Sequence, residues 1–345
     1  MAVEFLDGFA HYVTSNIHQK WTFPGGTITA SPPAGRLGPG LDLTAGNGVV
    51  AVTLSHQSSW IVGFAFYPTG ASFSGRLYAA SHAGAVELID VRIQSDATMS
   101  IFTNNGNTLI QNSTPFSIHD NTWYYCEVKY TLQGGSGTNI TCTATLKVDG
   151  TVRAQGTGTC GFDTTILLLN TPTVNSHAFE NEVSGGDTYI KDLYIFDTLS
   201  GNTNNFAGDC TFILSTTTAD ITTEWTPTGG GSSWNQVNEV PPDDDTTYIE
   251  DGNINDLDNF FWTPVPSTLG TIVAVQYLGY IRKTAEGSRS VKLSCGAGPT
   301  QFSDEFFLND NYVYYRMPLG TDPDTGVAWT TASFNIKPFG IKVIS

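Results

Sequence analysis

Charged side chains are scarce in this sequence, and basic ones are the scarcest. Charged residues make up 14% of the 345 residues, with 15 Lys and Arg against 32 Asp and Glu, so the formal net charge is −17. Nucleic-acid binding and attraction to anionic membranes both draw on clustered Lys and Arg, so we expect no nucleic-acid partner. The polar surface must be built from Ser, Thr, Asn and Gly, which is typical of extracellular or particle-borne β-proteins.

Long apolar runs and a secretory leader are also missing. No stretch approaches the ~20 consecutive apolar residues of a membrane span. The segment Met1–Gly8 has no basic region followed by an apolar block, which a secretory signal needs. These observations predict a chain without membrane insertion that is made in a cytosol and reaches any exterior by assembly or lysis.

The cysteines form no metal or redox motif. There are five, an odd number, and none belongs to a C-x-x-C pair. Two of them, Cys126 and Cys142, fall on apolar faces of predicted strands, where a buried thiol that acts as a small hydrophobic group is favoured over a reactive one. The full set is Cys126, Cys142, Cys160, Cys210 and Cys295. They predict no cofactor.

Helical patterns are absent as well, because no window of a dozen residues has a 3.6-residue period with caps. Strand patterns dominate instead. Tyr124–Tyr130 alternates with period two, and Cys142–Val148 leads through the tight-turn pair Asp149 and Gly150 into a returning strand. Thr271–Ile281 is apolar on both faces, which predicts a central strand covered on both sides. Further strands are predicted at 60–67, 188–196, 289–295, 312–317 and 334–344. Short strands and frequent Gly and Pro turns predict an all-β protein built from sandwiches.

The length of the chain allows two domains, each with its own core. The segment 201–209 is polar and turn-rich, with strands predicted on both sides. We therefore predict a first domain over 1–209 and a second over 210–345. A second turn-rich segment, Thr226–Ser233, is interpreted as a loop inside the second domain.

Several segments resemble the concanavalin A-like (laminin G-like) jelly rolls. Val3–Phe9 and Trp60–Phe66 resemble the opening strands of that family, and Tyr189–Asp197 its closing strand. Thr122–Lys129, taken with Leu146–Gly150, is similar to its W-Y-x-x-E-x-K … V-D-G hairpin. The resemblance implies an N-terminal jelly-roll sandwich, followed by a C-terminal antiparallel β-sandwich.

Two further segments, Leu199–Asp209 and Asp322–Thr330, resemble a group of tailed-bacteriophage virion proteins. In that group a jelly roll precedes a second β-sandwich. The resemblance implies a virion structural protein on the exterior of the particle, with other virion proteins as partners. A tail-associated fibre or adhesin is the leading interpretation, and a head decoration protein is the alternative. A homo-oligomer, with a trimer suggested by phage architecture, is expected by analogy alone.

Glycan hydrolysis is the third interpretation, and the residue pattern argues against it. Retaining glycosidases need two carboxyl groups about 5 Å apart. Glu87 and Asp90 are three residues apart on a predicted strand, so alternation places them on opposite faces. Glu180 and Glu182 have a suitable spacing, but the glycines that follow predict a loop there. We therefore expect no enzymatic activity.

Nucleophile and metal-binding motifs are missing from the sequence as well. There is no G-x-S-x-G elbow, and the histidines form no H-x-H or H-E-x-x-H spacing. Each histidine is expected in a loop or on a strand surface. They are His11, His18, His56, His82, His119 and His177.

Tryptophans in turn-rich sequence provide the candidate ligand site. Trp225, Trp234 and Trp262 lie beside Asn235 and an acidic loop. Sugar rings stack on exposed aromatic side chains through their apolar faces, so these four residues are predicted to bind host-surface glycan. The competing interpretation is packing between domains or against a neighbouring subunit.

The acidic loop is the candidate calcium site. Counted as an EF-hand from Asp251, the loop has Asn253 and Asn255 at ligand positions. Asp256 stands where the turn glycine belongs, and Trp262 where the bidentate Glu belongs, so the loop is not an EF-hand. A looser calcium site formed by Asp251, Asn253, Asn255 and Asp256 and a solvated acidic loop both remain open.

Overall fold

The structure is a computed structural model of an all-β protein. It describes residues 3–12, 17–25, 28–29, 33, 35–36, 38–43, 48–70, 75–82, 86–103, 108–112, 116–134, 140–160, 173–181, 186–198, 205–296 and 301–345. The chain forms two compact units, one of Ala2–Phe9 with Trp21–Phe212 and one of Ala10–Lys20 with Ile213–Ser345. The division into domains over 1–209 and 210–345 stays a prediction.

The first unit consists of antiparallel strands. In chain order they are β1 (Val3–Asp7), β2 (Thr22–Gly25), β3 (Ile28–Thr29), β4 (Leu41–Leu43), β5 (Gly48–Gln57), β6 (Ser59–Pro68), β7 (Gly75–His82), β8 (Val86–Ile93), β9 (Met99–Thr103), β10 (Thr108–Asn112), β11 (Tyr124–Gln133), β12 (Ile140–Val148), β13 (Thr151–Cys160), β14 (Val174–Asn181) and β15 (Thr188–Asp197). The predicted strands at 60–67, 124–130 and 188–196 are confirmed by β6, β11 and β15.

These strands form two sheets. The back sheet has the order β13-β12-β11-β6-β15-β4-β3, with β1 also paired to β15, and the front sheet has the order β10-β9-β8-β7-β14-β5-β2. The predicted β12–β13 hairpin is confirmed. Its turn residues have positive φ angles, 48° at Asp149 and 74° at Gly150, which a tight two-residue hairpin turn requires.

Aromatic side chains from both sheets fill the core of this unit. Phe64 of the back sheet packs against Tyr78 and Phe179 of the front sheet, with ring centroids 6.4 Å and 5.2 Å away. The hydroxyls of Tyr78 and Tyr130 are 3.3 Å apart across the same layer. The unit is therefore a β-sandwich, as expected. Cys126 and Cys142 are buried thiols, which confirms their prediction.

His177 corrects the expectation that each histidine lies in a loop or on a strand surface. It is completely buried in β14, between Trp60 and Tyr78. Its Nδ1 is 2.8 Å from the Tyr78 hydroxyl. Burial lowers the pKa of His177 to about 3, because the charged imidazolium would lose its hydration in the core. His11 and His82 are buried too.

The carboxylate of Glu127 accepts hydrogen bonds from two other segments of the first unit. Glu127 Oε1 accepts hydrogen bonds from the backbone N–H of Gly208, at 2.8 Å, and from the Tyr194 hydroxyl, at 2.5 Å. Nearby, Lys147 Nζ lies 4.2 Å from the ring centroid of Phe206. These residues fasten the end of the first unit to the outside of its back sheet, so their role is structural.

Among its described residues, the second unit has shorter strands, one short α-helix and the 3₁₀ turns Ile17–Gln19, Ser233–Gln236 and Ser267–Leu269. In chain order the strands and the α-helix are β16 (Thr217–Thr222), β17 (Thr226–Pro227), β18 (Ile249–Glu250), β19 (Leu257–Trp262), β20 (Val275–Ile281), β21 (Ser290–Cys295), β22 (Gln301–Phe302), β23 (Phe306–Phe307), β24 (Val313–Leu319), α1 (Thr331–Asn335) and β25 (Phe339–Val343). The main sheet has the order β16-β19-β25-β21-β22, with β23 also on β21, while β17 pairs with β18 and β20 with β24.

Two expectations for this unit are wrong. The segment Thr271–Ile281 was expected to be a central strand, but its strand β20 pairs with β24 alone among the described strands, and most of its residues are half-exposed. Its apolar residues cover the core as an outer ribbon. The predicted strand at 334–344 begins with the end of α1 instead, because Thr330 and Ser333 form a capping box there.

We predict that His177 makes the first unit sensitive to acid. In the unfolded chain its imidazole takes up a proton below about pH 6.5, whereas in the fold it stays neutral down to about pH 3. Its stabilising effect is therefore present above pH 6.5 and is lost as the pH falls, at about 1.4 kcal/mol per pH unit. Urea unfolding of the wild type and of His177→Gln over this range should give diverging free energies, and parallel profiles would contradict the assignment.

Candidate functional site

The outer surface of the front sheet is the candidate site, and strand pairing defines its residues. Phe179 and Tyr78 are paired and point into the core, so the neighbouring row across the sheet points outward. That row consists of Ala51, Ala178, Ala79, Asp90 and Phe102. We use the name front face for this row together with Arg76, Glu87, Arg92, Ser100 and Glu180.

Small side chains occupy the middle of the front face. Ala51, Ala178 and Ala79 lie side by side on β5, β14 and β7, and Ser176 pairs with Ser81 beside them. Larger polar and aromatic side chains flank this strip. Ala51 and Ala178 are partly exposed, whereas Ala79, Ser81 and Ser176 are buried, so only part of this strip is open to a ligand.

Arg76 links the carboxylates of two neighbouring strands. Its Nε donates to Glu180 Oε2 at 2.6 Å, and its Nη1 forms an ion pair with Glu87 Oε2. The Arg76 and Glu180 side chains are only 10% and 7% exposed. Charges removed from water in this way need partners, so the three side chains hold one another in fixed positions.

Bulges in the paired strands place these charges on one face. The register shifts between Ala80 and Ser81, which leaves Leu88 without an opposite residue on β7. A bulge reverses the alternation of side chains beyond it. Glu87 and Asp90 therefore share the front face, and the expectation that they point to opposite faces is wrong.

Glu180 also differs from its expectation. It lies in strand β14 and not in a loop, and it faces outward like Ala178, two residues before it. Glu182, its proposed partner, lies outside the described residues.

Asp90 and Arg92 form the second ion pair of the front face. Arg92 Nε and Nη2 donate to the two oxygens of Asp90, both at 3.0 Å. Asp90 is completely buried, while the Arg92 side chain is 26% exposed. The Arg92 guanidinium lies 5.6 Å from the ring centroid of Phe102, which is half-exposed on β9. This arrangement fixes a guanidinium beside an aromatic ring at the surface.

Ser100 stands next to this pair. It is opposite Arg92 in the register, and although it is buried, its Oγ has no hydrogen-bond partner among the described residues. A buried hydroxyl without a partner costs free energy, so Ser100 is an energetically unfavourable position of this sheet.

The four residues of the predicted ligand site do not come together on one surface. Trp225 is a core residue that packs with Val291 and Ile341. Trp262 packs edge-on against Tyr277 and Phe339. Trp234 is half-buried in a 3₁₀ turn, Ser233–Gln236, and Asn235 beside it is exposed. A glycan site at these residues stays a prediction.

The predicted calcium residues form a hydrogen-bonded loop. Asn253 Nδ2 donates to Asp251 Oδ1 and to Asp256 Oδ2, both at 3.1 Å. Asn255 adopts a positive φ of 80°, and its N–H donates to the Val343 carbonyl. The described residues contain no group of three or more His, Cys, Asp or Glu side chains arranged to hold a metal ion. Calcium at this loop stays a prediction.

Tyrosines and one arginine hold the nearby run of acids. Asp244 Oδ1 accepts from the Tyr280 hydroxyl at 2.9 Å, and Asp245 Oδ1 accepts from Arg282 at 2.7 Å and from Tyr312 at 3.0 Å. Partial burial and the bond to Asp244 raise the pKa of Tyr280 to about 12.

No protein-family model matches this chain, and no curated protein does. Solved structures with some likeness to it include alginate lyase Aly36B, with 11% identity and a TM-score of 0.39 over 56% of this chain and 96% of that one. The marine PL-14 alginate lyase from Aplysia kurodai has 11% identity and a TM-score of 0.39, covering 57% and 99%. A tetrameric galectin from the ball sponge Cinachyrella sp. has 12% identity and a TM-score of 0.29, covering 43% and 99%. These values carry no residue role over to this chain.

The described residues include no helix with the length and apolar character that would allow it to cross a membrane.

We predict that Arg76→Met destabilises the first unit by about 3 kcal/mol, because it leaves the nearly buried Glu180 carboxylate without its guanidinium partner. Urea unfolding measures this loss. The double variant Arg76→Met with Glu180→Gln should recover part of it, since the uncompensated charge is gone. Equal stability of wild type and Arg76→Met would show that the ion pair contributes nothing.

Proposed function

We propose that this chain is a non-enzymatic glycan-binding protein and that the front face is its binding surface. The observation that carries the proposal is the arrangement of Phe102, Arg92 and Asp90, in which a partly exposed aromatic ring lies beside a guanidinium held in place by a carboxylate. Glycan sites combine these two chemistries, an apolar platform for the sugar ring and directed polar groups for its hydroxyls.

Arg92 is suited to hold a sugar hydroxyl. It uses Nε and Nη2 for Asp90, and its Nη1 makes no hydrogen bond to the described residues. The bidentate pair with Asp90 fixes the plane of the guanidinium before any ligand arrives, so little side-chain entropy is lost on binding.

The charges of the front face favour neutral glycans. Its carboxylates, Glu87, Asp90 and Glu180, outnumber its guanidiniums, Arg76 and Arg92, by one. The whole chain has a net charge of −17. Polyanionic glycans would meet repulsion from both, so the expected ligand is a neutral, hydroxyl-rich polysaccharide.

The same ion pairs argue for binding over hydrolysis. Glycosidases need one protonated carboxyl group as general acid. Glu87 and Glu180 both pair with Arg76, and Asp90 pairs with Arg92. Each of these carboxylates is thus held by a guanidinium in an ion pair.

We predict that Phe102→Ala weakens binding to neutral glycans about tenfold or more, because stacking of a sugar ring on an aromatic side chain is lost. Screening of the wild type on a glycan array, followed by calorimetry with the best neutral oligosaccharide, measures the effect. Phe307→Ala is the matched control, since Phe307 is a 66% exposed aromatic residue of the second unit.

A third variant distinguishes glycan binding on the front face from glycan binding at the tryptophan site predicted from the sequence. Trp234→Ala should leave both affinity and melting temperature unchanged if glycan binds on the front face. Loss of binding in Trp234→Ala with full binding by Phe102→Ala would move the site to the Trp234 loop.

We further propose that the protein works on the exterior of a tailed-phage particle, as a tail-associated fibre or adhesin that brings the front face to host glycan. The resemblance of Leu199–Asp209 and Asp322–Thr330 to phage virion proteins supports this location, and a head decoration protein remains the alternative. Other virion proteins and further copies of the chain are its proposed partners.

The location is tested by electron microscopy of intact phage labelled with gold against this chain. We expect label at the tail tip or on fibres. Label spread over the head would favour decoration, and purified particles without label would overturn the virion proposal while leaving glycan binding to stand on its own test.

A further inference from the structure

A lysine and two aspartates of the second unit meet away from solvent. Lys337 Nζ is 2.8 Å from Asp322 Oδ1 and 2.5 Å from Asp324 Oδ2. The Lys337 and Asp322 side chains are only 6% and 2% exposed, and that of Asp324 is 27% exposed. Buried ion pairs of this kind are costly, because each charge gives up its hydration.

The surroundings of this cluster are tightly packed. A Cβ placed on Gly296, whose φ is +110°, would lie 2.6 Å from Asp324 Oδ1, so only glycine leaves room for the carboxylate. Cys295, the preceding residue, is completely buried among Trp329 and Phe339. Burial, opposed by the charge of Lys337, raises the pKa of Cys295 to about 12. The cluster therefore borders the aromatic core of the unit.

We propose that Lys337 and Asp322 condense to an intramolecular amide, an isopeptide cross-link, with Asp324 as the group that moves the proton. The Lys337 nitrogen attacks the side-chain carbonyl carbon of Asp322 and forms the C–N bond. One carboxyl oxygen of Asp322 leaves with two protons from the ammonium, as water. The ammonium and the carboxylate thus become one neutral amide and one water molecule, without oxidant, reductant or cofactor.

The distances suit this reaction. Lys337 Nζ is 2.8 Å from Oδ1, so it lies within about 4 Å of the carbon that bears that oxygen. The backbone N–H of Asp324 donates to Asp322 Oδ1 at 3.0 Å, where negative charge develops in the tetrahedral intermediate. Asp324 Oδ2 contacts the amine, so it can accept the proton and return it to the leaving oxygen.

Desolvation drives the reaction forward. Burial opposes the charge of Lys337, but its hydrogen bonds to both aspartates raise its pKa overall, so the ion pair is the starting state. Condensation removes a buried positive and a buried negative charge at once and releases water to solvent. Asp324 keeps one charge, and it is the most exposed of the three.

Mass spectrometry of the purified protein tests the proposal directly. Trypsin cleaves after Arg316 and Lys342 but not between Lys337 and Pro338, so both partners fall in one peptide, Met317–Lys342. We expect this peptide to be about 18 Da lighter than its sequence, the mass of one water, and to give no backbone fragments between residues 322 and 337. A peptide of full mass in the wild type would overturn the proposal, whatever the variants do.

Two comparisons identify the cross-linked residues. Lys337→Arg keeps the positive charge but forms no amide, so its peptide should have full mass, and a deficit that persists there would contradict the assignment. The pair Lys283 and Asp310, 3.3 Å apart with Asp310 84% exposed, is the internal control and should stay uncondensed. Asp324→Asn should slow the condensation and leave a fraction of uncrosslinked peptide, whereas a fully cross-linked Asp324→Asn would remove Asp324 from the reaction.

Discussion

The aromatic layer shared by the two sheets of the first unit determines where every charged strand residue must lie. Phe64, Tyr78 and Phe179 interlock across this layer, and His177 enters it without a charge. No ionised side chain can share that space without a large desolvation cost. The charges of β7, β8 and β14 are thus confined to the opposite surface of the front sheet, where they pair with one another. The candidate site is a consequence of how the core is packed.

Local pattern was enough to predict much of the fold. The alternation of β11 and the Asp149 and Gly150 turn depend on neighbouring residues alone, and the structure confirms both. The front face could not be predicted in this way, because it depends on bulges between strands that are set by pairing across the sheet. The acidic and basic residues within the otherwise apolar strand β8 were the feature of the sequence that could have indicated the front face. Strict alternation predicts that Glu87 and Asp90 point to opposite faces of β8, whereas the bulge at Leu88 places both on the front face.

Two residues that the sequence analysis singled out, Glu127 and Asp322, make contacts within the fold. Glu127, from the hairpin motif, binds the backbone of Gly208 and the hydroxyl of Tyr194. Asp322, from the segment Asp322–Thr330, belongs to the buried cluster with Lys337. Such residues are constrained by packing and hydrogen bonding, so they report architecture more directly than function. The proposed binding residues lie outside these motifs, and their chemistry has to be argued from the site itself.

Whether glycan is held on the front face can be seen in a crystal structure of the protein with its best neutral oligosaccharide. We expect a sugar ring stacked on Phe102 and one of its hydroxyls within hydrogen-bond distance of Arg92 Nη1. A sugar bound at Trp234 and Asn235, with the front face empty, would contradict this expectation.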